Sequence, residues 1–443
     1  MRKRLLALSG LSALALFGPL AGTALAQEVE EVATAVDNVW VVVAGILVMF
    51  MQPGFALVEA GFTRAKNTAN IVMKNFMDFS VGAISYWAFG FALAYGGTSV
   101  GGFFATGEWF FSNSDRSVEW FFQVVFAATA ATIVSGAMAE RTKFSSYLIY
   151  TPFITGLIYP VVTHWQWSGD GWLSDLGFLD FAGSGLVHLT GGVAALAGVM
   201  VIGPRIGKYD ENGKPQAIPG HSLLLGALGV FILWFGWYGF NAGSTLAAVG
   251  ADFASVAVTT TLSASAGALG AMAISWMNKG FGKPDPAMTL NGALGGLVGI
   301  TAGPDIISNA WAIVVGLIAG GIIVYGIQAI ERAGIDDPVG AIAVHGVCGI
   351  WGVLAVGIFG TDVGLLAGGG FEQLGIQAIG VLAIVAWVFV TSSIVFRVIH
   401  ATVGLRVTAE EELAGLDRVE HGASAYPEFM EQIASPEQLD PIS

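Results

Sequence analysis

Eleven apolar stretches of about twenty residues follow one another along this sequence, and they limit the fold more than any other feature. An α-helix of that length and composition spans the hydrocarbon core of a bilayer. Turns rich in Gly, Pro and Asn separate the stretches, as in "GPRIGKYDENGKPQAIPG". The sequence therefore predicts an all-α polytopic membrane protein with eleven transmembrane helices, at about 38–60, 69–97, 119–139, 145–163, 183–203, 220–245, 254–277, 287–303, 308–331, 341–361 and 374–399.

The composition excludes an ordinary soluble protein. Only 11% of the residues are charged, against about 25% in soluble domains. The net charge is −14, and no basic patch outside the short connectors indicates a nucleic-acid partner. The 62 glycines favour close packing of helices in lipid. Cys348 is the only cysteine, so an intrachain disulfide is impossible, and we interpret it as a packing residue.

The two ends of the chain differ from its apolar middle. Residues 1–26 combine early basic residues, a short apolar run and the small residues "ALA", which is typical of a signal peptide cut after Ala26. An uncleaved first span is the alternative. Residues 27–403 form the predicted transmembrane domain, and residues 404–443 form a polar, acidic tail that is too short for an enzyme domain. The tail is either a solvated end or a regulatory contact surface.

The distribution of basic residues predicts the orientation. With the N-terminus of the mature chain outside, 14 of the 18 Lys and Arg residues lie on the cytoplasmic side and three lie in the signal peptide. Only Arg116 remains for the outer side. Cytoplasmic connectors carry this excess of Lys and Arg in membrane proteins. We therefore expect the N-terminus outside and the C-terminus inside, in a bacterial inner membrane.

A repeated pattern places one histidine in each half of the domain. In "DFAGSGLVHLTGGVAALAG", Asp180 precedes His188 by eight residues, and in "DDPVGAIAVHGVCGIWG", Asp337 precedes His345 by eight. These segments lie in spans five and ten and therefore cross the bilayer in opposite directions. The pattern predicts inverted halves of five helices each, about 38–203 and 220–361, with an appended eleventh helix at about 374–399.

Ionisable residues within spans are costly and usually mark a pathway or a site. Burial disfavours the charged imidazole, so we expect both His188 and His345 to be neutral. Paired neutral rings can exchange hydrogen bonds with a small polar solute or pass a proton. Two histidines without further carboxylates or thiolates do not indicate a metal site. A lone buried histidine could equally bridge two helices.

Four further charged residues in or near the spans have structural interpretations. Lys74 and Asp78 are four residues apart in span two and are predicted to form an ion pair. Glu140 is predicted to pair with Arg141 or Lys143. Glu59, near the inner end of span one, is also interpreted as structural.

These segments resemble the Amt/Mep/Rh family of ammonium transporters, on the Amt side. The likeness runs from "GFALVEAGFTRAKNTANIVMKN" to "VGLRVTAEEELAGLDRVEHG" and includes "GWYGFNAGS" and "AVHGVCGIWG". It implies a transporter of ammonium and methylammonium with no cofactor and no enzymatic activity. It further implies a homotrimer in membrane lipid, and in many members a PII-type signal protein that plugs the pore from the cytoplasm.

The resemblance also implies roles for residues along the pore. His188 and His345 match the twin histidines of the family, and Trp237 and Phe240 match aromatic residues that line the conduction path. Asp180 matches an acidic residue that acts through structure and electrostatics.

At the outer entrance, the resemblance implies a gate and a recruitment site. Phe122 and Phe126, in "FFQVVF", match the stacked phenylalanines of the gate. Phe126, Trp167 and Ser244 match the site that recruits ammonium. From spacing alone, a Phe pair four residues apart is more often packing, and Trp167 could be an interfacial belt residue.

One departure from the family pattern concerns regulation. Plant relatives carry a phosphorylated threonine in the tail, where this chain has Val419 in "GLDRVEHG". We therefore expect no phosphorylation switch at this position. The rest of the tail motif implies that the tail docks on a neighbouring protomer.

Three alternatives stay open from the sequence. An ammonium sensor would bind ammonium with little flux and signal through a partner. A channel for a neutral gas such as carbon dioxide would use the same apolar pore. An intramembrane enzyme would need a nucleophile and a base, and the sequence offers no convincing set.

Overall fold

The computed structural model describes residues 27–278 and 280–428, so the predicted signal peptide lies outside the described residues. Eleven helices in this part of the chain coincide with the eleven predicted spans. They are α1 Gln27–Phe62, α2 Ala65–Tyr95, α3 Ser114–Ala137, α4 Phe144–Leu176, α5 Ser184–Ile202, α6 Leu223–Thr245, α7 Phe253–Met277, α8 Pro286–Ile300, α9 Asn309–Arg332, α10 Ile342–Phe359 and α11 Glu372–Thr402.

Ten of these helices, within the described ranges, are long and apolar enough to cross a membrane. The exception is α8, whose 15 residues span only about 22 Å. Every residue of α8 from Asn291 to Ile300 is buried, so other helices rather than lipid surround its second half. The predicted all-α polytopic architecture is confirmed.

Glycines set the spacing of α7, α8 and α9. A Cβ atom built on Gly267 of α7 would lie 2.2 Å from the carbonyl oxygen of Gly292 in α8. One built on Gly316 of α9 would lie 2.1 Å from the carbonyl oxygen of Ser263 in α7. No side chain fits at these crossings, so the three backbones pack in direct contact, as small residues allow in membrane helices.

A short β-hairpin and two short helices lie at the ends of the bundle. An antiparallel hairpin, β1 Thr98–Val100 and β2 Phe104–Thr106, pairs Thr98 with Thr106 between α2 and α3. Beyond α11, the tail forms α12 Ala409–Ala414 and α13 Leu416–His421.

The tail packs on the connectors of its own chain. The Lys66 ammonium donates to the carbonyls of Glu412 and Leu413, at 2.8 and 2.5 Å. The backbone N–H of Leu416 donates to the Asn67 side chain at 2.9 Å. The start of the tail therefore packs against the connectors through Lys66 and Asn67, and its role as a regulatory surface stays a prediction. Its predicted docking on a neighbouring protomer stays a prediction.

An ion-pair cluster joins four connectors at the predicted cytoplasmic end. The Arg205 guanidinium contacts Glu140 at 3.0 Å and Asp336 at 2.8 Å, and Arg64 contacts Glu140 at 2.7 Å. Burial alone would raise the pKa values of both acids, but hydrogen bonds and charge outweigh it. Arg64 and Arg205 lower the pKa of Glu140 to about 2, and Arg205 with Arg141 lowers that of Asp336 to about 2.

Two predicted ion pairs were wrong. Glu140 pairs with Arg64 and Arg205, whereas Arg141 donates to backbone carbonyls, including that of Asp336 at 2.7 Å. The Arg141 guanidinium also donates to the Ala137 and Ala139 carbonyls, at 3.0 and 2.8 Å, and Lys143 donates to the Val403 carbonyl, at 3.3 Å. Within the described residues, Lys74 forms no ion pair with Asp78, because its ammonium donates to the Ser135 carbonyl of α3 at 3.2 Å.

Candidate functional site

The repeated aspartates hold the starts of the two histidine-bearing helices. The Asp180 carboxylate accepts from the backbone N–H groups of Gly183, Gly185 and Leu186, at 2.9, 2.8 and 2.8 Å. An anionic acceptor satisfies the orphan N–H groups and the positive dipole of a helix N-terminus. Asp180 therefore fixes the start of α5 and does not itself contact His188.

Asp337 repeats this arrangement at the start of α10. Its carboxylate accepts from the backbone N–H groups of Val339, Gly340 and Ile342, at 3.2, 3.0 and 2.7 Å. The equal Asp-to-His spacing in the sequence thus reflects equal geometry, in which an aspartate anchors the helix whose second turn carries the histidine.

Each histidine sits in a π-helical segment at the start of its helix, Ser184–Leu189 in α5 and Ile342–Val347 in α10. A π-helical turn inserts an extra residue and rotates the side chains that follow, and such turns are frequent at functional sites. The helices α5 and α10 cross closely, since a Cβ on Gly192 would lie 2.2 Å from the backbone nitrogen of Gly346. The two histidines are thereby brought to the same level of the bundle.

The imidazoles of His188 and His345 are in direct contact at the centre of the protein. Their Nδ1 atoms are 3.1 Å apart and their ring centroids 5.1 Å, and both side chains are buried. Two neutral rings can make this contact only if one Nδ1 carries a hydrogen and the other accepts it. The pair must therefore consist of opposite tautomers, which is the arrangement a proton relay needs.

Aromatic rings stack on the predicted outer side of this pair. The His188 ring stacks on Trp237 and Phe240, with centroids at 4.9 and 5.1 Å and ring planes tilted by 21° and 25°. Phe240 contacts Phe126 at 4.3 Å, and Phe126 contacts Phe122 at 4.8 Å. These rings form one continuous row that separates His188 from the predicted outer surface, and His188 is fully buried.

A cavity of about 90 Å³ lies beyond this row at the predicted outer end. Two of its lining residues are predicted recruitment residues, Trp167 and Ser244. The Trp167 ring is fixed by a hydrogen bond from Nε1 to the Asp180 carbonyl, at 2.8 Å. Ser244 donates its hydroxyl hydrogen to the Phe240 carbonyl at 2.7 Å, so its oxygen stays available as an acceptor.

The predicted outer residues divide between two positions. Phe122, Trp167 and Ser244 line the cavity, whereas Phe126 lies one layer deeper and meets the Trp167 ring edge-on at 5.8 Å. Sequence reasoning missed Gln123, Phe181 and Leu246, which complete the lining. Gln123 could have been found, since it is the polar residue inside the apolar "FFQVVF".

Two further cavities lie on the opposite side of the histidine pair. The first cavity borders His345 and has a volume of about 20 Å³. The second has a volume of about 290 Å³ and lies at the predicted cytoplasmic end. Asn291 and Val339 line both cavities. Outer cavity, aromatic row, histidine pair and inner cavities therefore follow one another through the bundle.

Within the described part of the chain, no group of three or more His, Cys, Asp and Glu residues is placed to hold a metal ion. Cys348 is buried, and its thiol lies 3.9 Å from the carbonyl oxygen of Ala319, which agrees with its interpretation as a packing residue.

A model of the Ammonium Transporter Family matches residues 39–426 of the chain. The protein belongs to the ammonium transporter family. It is 50% identical over 421 residues to the ammonium transporter Amt2 of Archaeoglobus fulgidus, a match that covers 89% of each chain. It is 40% identical over 458 residues to ammonium transporter 1 member 2 of Oryza sativa, covering 92% of this chain and 91% of the relative.

Solved structures of family members share the fold. A protein described as a Sensor Amt Protein superposes with a TM-score of 0.84 at 37% identity, covering 88% of this chain and all of the other. Mep2 of Candida albicans superposes with a TM-score of 0.80 at 29% identity, covering 92% and 94%. The relatives are named as ammonium transporters, so the chain belongs to a family of transporters and not of enzymes.

Proposed function

We propose that the protein transports ammonium by recruiting it in the outer cavity, removing one proton, and conducting ammonia past the histidine pair. The observation that carries the proposal is the contact between His188 and His345, 3.1 Å apart and enclosed by a row of aromatic rings. The names of its relatives supply the substrate.

The outer cavity has the chemistry to select ammonium. The face of a fixed Trp167 ring attracts a cation, by about 2 kcal/mol or more when desolvated. The Ser244 oxygen accepts a hydrogen bond from an N–H group, which potassium cannot offer. The lining contains no charged side chain, so the hydrogen bond rather than net charge distinguishes the two cations.

The aromatic row explains why the proton must leave. Phe126, Phe240 and Trp237 are fully buried, and a bare cation placed between their rings would lose its hydration. Ammonia loses far less on the same path because it is neutral. The N–H bond of ammonium breaks and its proton goes to Nε2 of His188, which has no hydrogen bond to the described residues; His188 then passes a proton to His345 across the hydrogen bond between their Nδ1 atoms.

The test is a double substitution, His188→Ala with His345→Ala, in protein reconstituted into liposomes. We expect the ammonium-evoked current and methylammonium uptake to collapse, while potassium stays excluded by the aromatic row. His400→Ala, an exposed histidine on α11, serves as the control and should transport normally. An ammonium current of wild-type size and selectivity in the double variant would contradict the proposed proton relay through the two histidines.

A sensor that signals with little flux is the second candidate, favoured by the likeness to the Sensor Amt Protein. Both candidates share the outer cavity and differ in throughput. Ammonium binding to the reconstituted wild type without measurable current or methylammonium uptake would decide for the sensor.

The assembly and location follow from the sequence and the resemblance, and they belong to this proposal. We propose a homotrimer in the bacterial inner membrane, with residues 1–26 removed, the N-terminus outside and the docked tail in the cytoplasm. A PII-type protein would meet the tail and the connectors beside it. Native mass spectrometry of the purified protein, alone and with a PII protein, tests both assemblies.

A further inference from the structure

A group of three charged residues lies buried on the inner side of the histidine pair, in a part of the bundle that the proposed mechanism does not use. Glu59 of α1 is 2% exposed, and Lys74 and Asp78 of α2 are fully buried. The group holds two carboxyls and one ammonium. One carboxyl therefore lacks a counter-charge, and an uncompensated buried charge is expensive. One of the two is thus favoured to hold a proton.

The contacts of Glu59 leave half of its carboxyl available. One oxygen accepts from the Ser135 hydroxyl at 2.8 Å, and the Ser135 carbonyl in turn accepts from Lys74 at 3.2 Å. The other oxygen, Oε1, makes no hydrogen bond to any described residue. The side-chain amide of Asn75 lies close enough to act on the Glu59 carboxyl, and it donates one of its two hydrogens to the Ile71 carbonyl, at 3.0 Å. Buried polar atoms are usually hydrogen-bonded, so this oxygen is available to a partner in an adjoining cavity.

The cavity that borders His345 also borders Glu59. Its roughly 20 Å³ suffices for about one water molecule. Nδ1 of His345 is engaged by His188, so Nε2 is the nitrogen that remains for another partner. Asn291, which lines the same cavity, also presents an oxygen without a hydrogen bond to the described residues. A water there would find several polar partners.

The cavity also leads onward. Asn291 and Val339 separate it from the larger inner cavity, whose lining includes Arg205, Lys208 and Glu331. Asp337 lines that larger cavity and acts electrostatically on Glu59, but its oxygens accept from backbone N–H groups. Of the acids near the histidine pair, Glu59 is therefore the one that borders its cavity with a free oxygen.

We propose that Glu59 is the proton acceptor on the inner side of the histidine pair, a step that rests on the ammonium relay proposed above. Ammonium gives one proton to the relay and crosses as ammonia. The proton moves from His188 to His345, then through one water to Oε1 of Glu59, and leaves through the larger inner cavity. There ammonia takes up a proton again, so atoms and charge balance.

The test compares Glu59→Gln with Glu59→Asp in liposomes, by ammonium-evoked current recorded between pH 6 and 8. The glutamine keeps the shape but cannot accept a proton, and we expect the current to fall roughly tenfold or more. The aspartate should restore most of it with a shifted pH profile. Asp78→Asn is the matched control, since it removes a carboxyl from the same group away from the cavity, and should keep most of the current.

Each result decides the proposal. Wild-type current with an unchanged pH profile in Glu59→Gln overturns it. Equal losses in Glu59→Gln, Glu59→Asp and Asp78→Asn, together with lowered melting temperatures, would show a structural role and also overturn it. The double histidine variant in the same assay separates the two proposals. If that variant conducts, the relay itself fails; if it is silent while Glu59→Gln conducts, only the role of Glu59 fails.

Discussion

At the scale of single residues, Asp180 and Asp337 connect sequence to site. The carboxylate of each aspartate accepts hydrogen bonds from three backbone N–H groups at the start of a helix. This explains why two aspartates within an apolar protein are tolerated, since each charge is satisfied by N–H groups and a helix dipole. It also places both aspartates in a supporting role, because the histidines and aromatic rings make the contacts along the path.

We predict that Asp180→Ala and Asp337→Ala destabilise the protein by similar amounts, about 2 kcal/mol or more each, because buried N–H groups lose their acceptor. Thermal unfolding of the purified variants measures the loss. Asn in place of Asp should recover part of it, since the amide oxygen accepts. A loss confined to Asp180→Ala would contradict the equivalence of the two halves.

At the scale of helices, the crossing of α5 and α10 decides whether the histidines meet. The tight position is Gly192, where a Cβ would lie 2.2 Å from the backbone of Gly346. Gly346 itself has room, because its nearest contact to an added Cβ would be 3.6 Å, an ordinary van der Waals distance. The sequence shows a glycine at each position and does not reveal this difference.

We predict that Gly192→Ala lowers the unfolding free energy by roughly 1–3 kcal/mol or more, as overpacking does, and lowers transport because it separates the histidines. Gly346→Ala should change the unfolding free energy by less than about 1 kcal/mol. Melting temperature and ammonium-evoked current should fall together in the first variant only. Equal tolerance of both substitutions would argue against this crossing.

At the scale of the whole molecule, the cluster of Arg64, Glu140, Arg205 and Asp336 fastens the two inverted halves together at one end. Arg205 follows α5 of the first half, and Asp336 precedes α10 of the second. The pair is almost fully buried, so its loss leaves an unpaired charge in the interior, which costs about 3–5 kcal/mol. Surface pairs such as that of Arg116 with Glu119 contribute about 0–1 kcal/mol.

We predict that low pH removes the stabilisation that this ion-pair cluster contributes to the folded protein. Glu140 and Asp336 have pKa values of about 2 in the folded protein, below their ordinary 4.5 and 3.8. Their contribution, on the order of 2–3 kcal/mol each, is complete above about pH 5 and is lost as the pH falls towards 2. Unfolding followed from pH 6 to 2 measures this slope. Glu140→Gln should flatten it, whereas Glu119→Gln should not.

Much of the fold and part of the site could be predicted from the sequence. The eleven apolar stretches and the repeated Asp-to-His spacing depend on local composition and chain order, which a sequence displays directly. The twin histidines were found because the repeat marked them. Gln123 and Phe181 were missed because a cavity lining draws on helices far apart in the chain, and the Lys74 and Glu140 partners were wrong for the same reason.

The sequence by itself determined that this chain is an all-α membrane protein of two related halves, because the bilayer imposes the length and apolar character of every span. Only the tertiary structure decided which side chains meet. The contact of His188 with His345, the place of Phe126 below the cavity, and the free oxygen of Glu59 beside that pair all depend on how helices cross. Those crossings are set by packing between residues distant in sequence, and no local pattern records them.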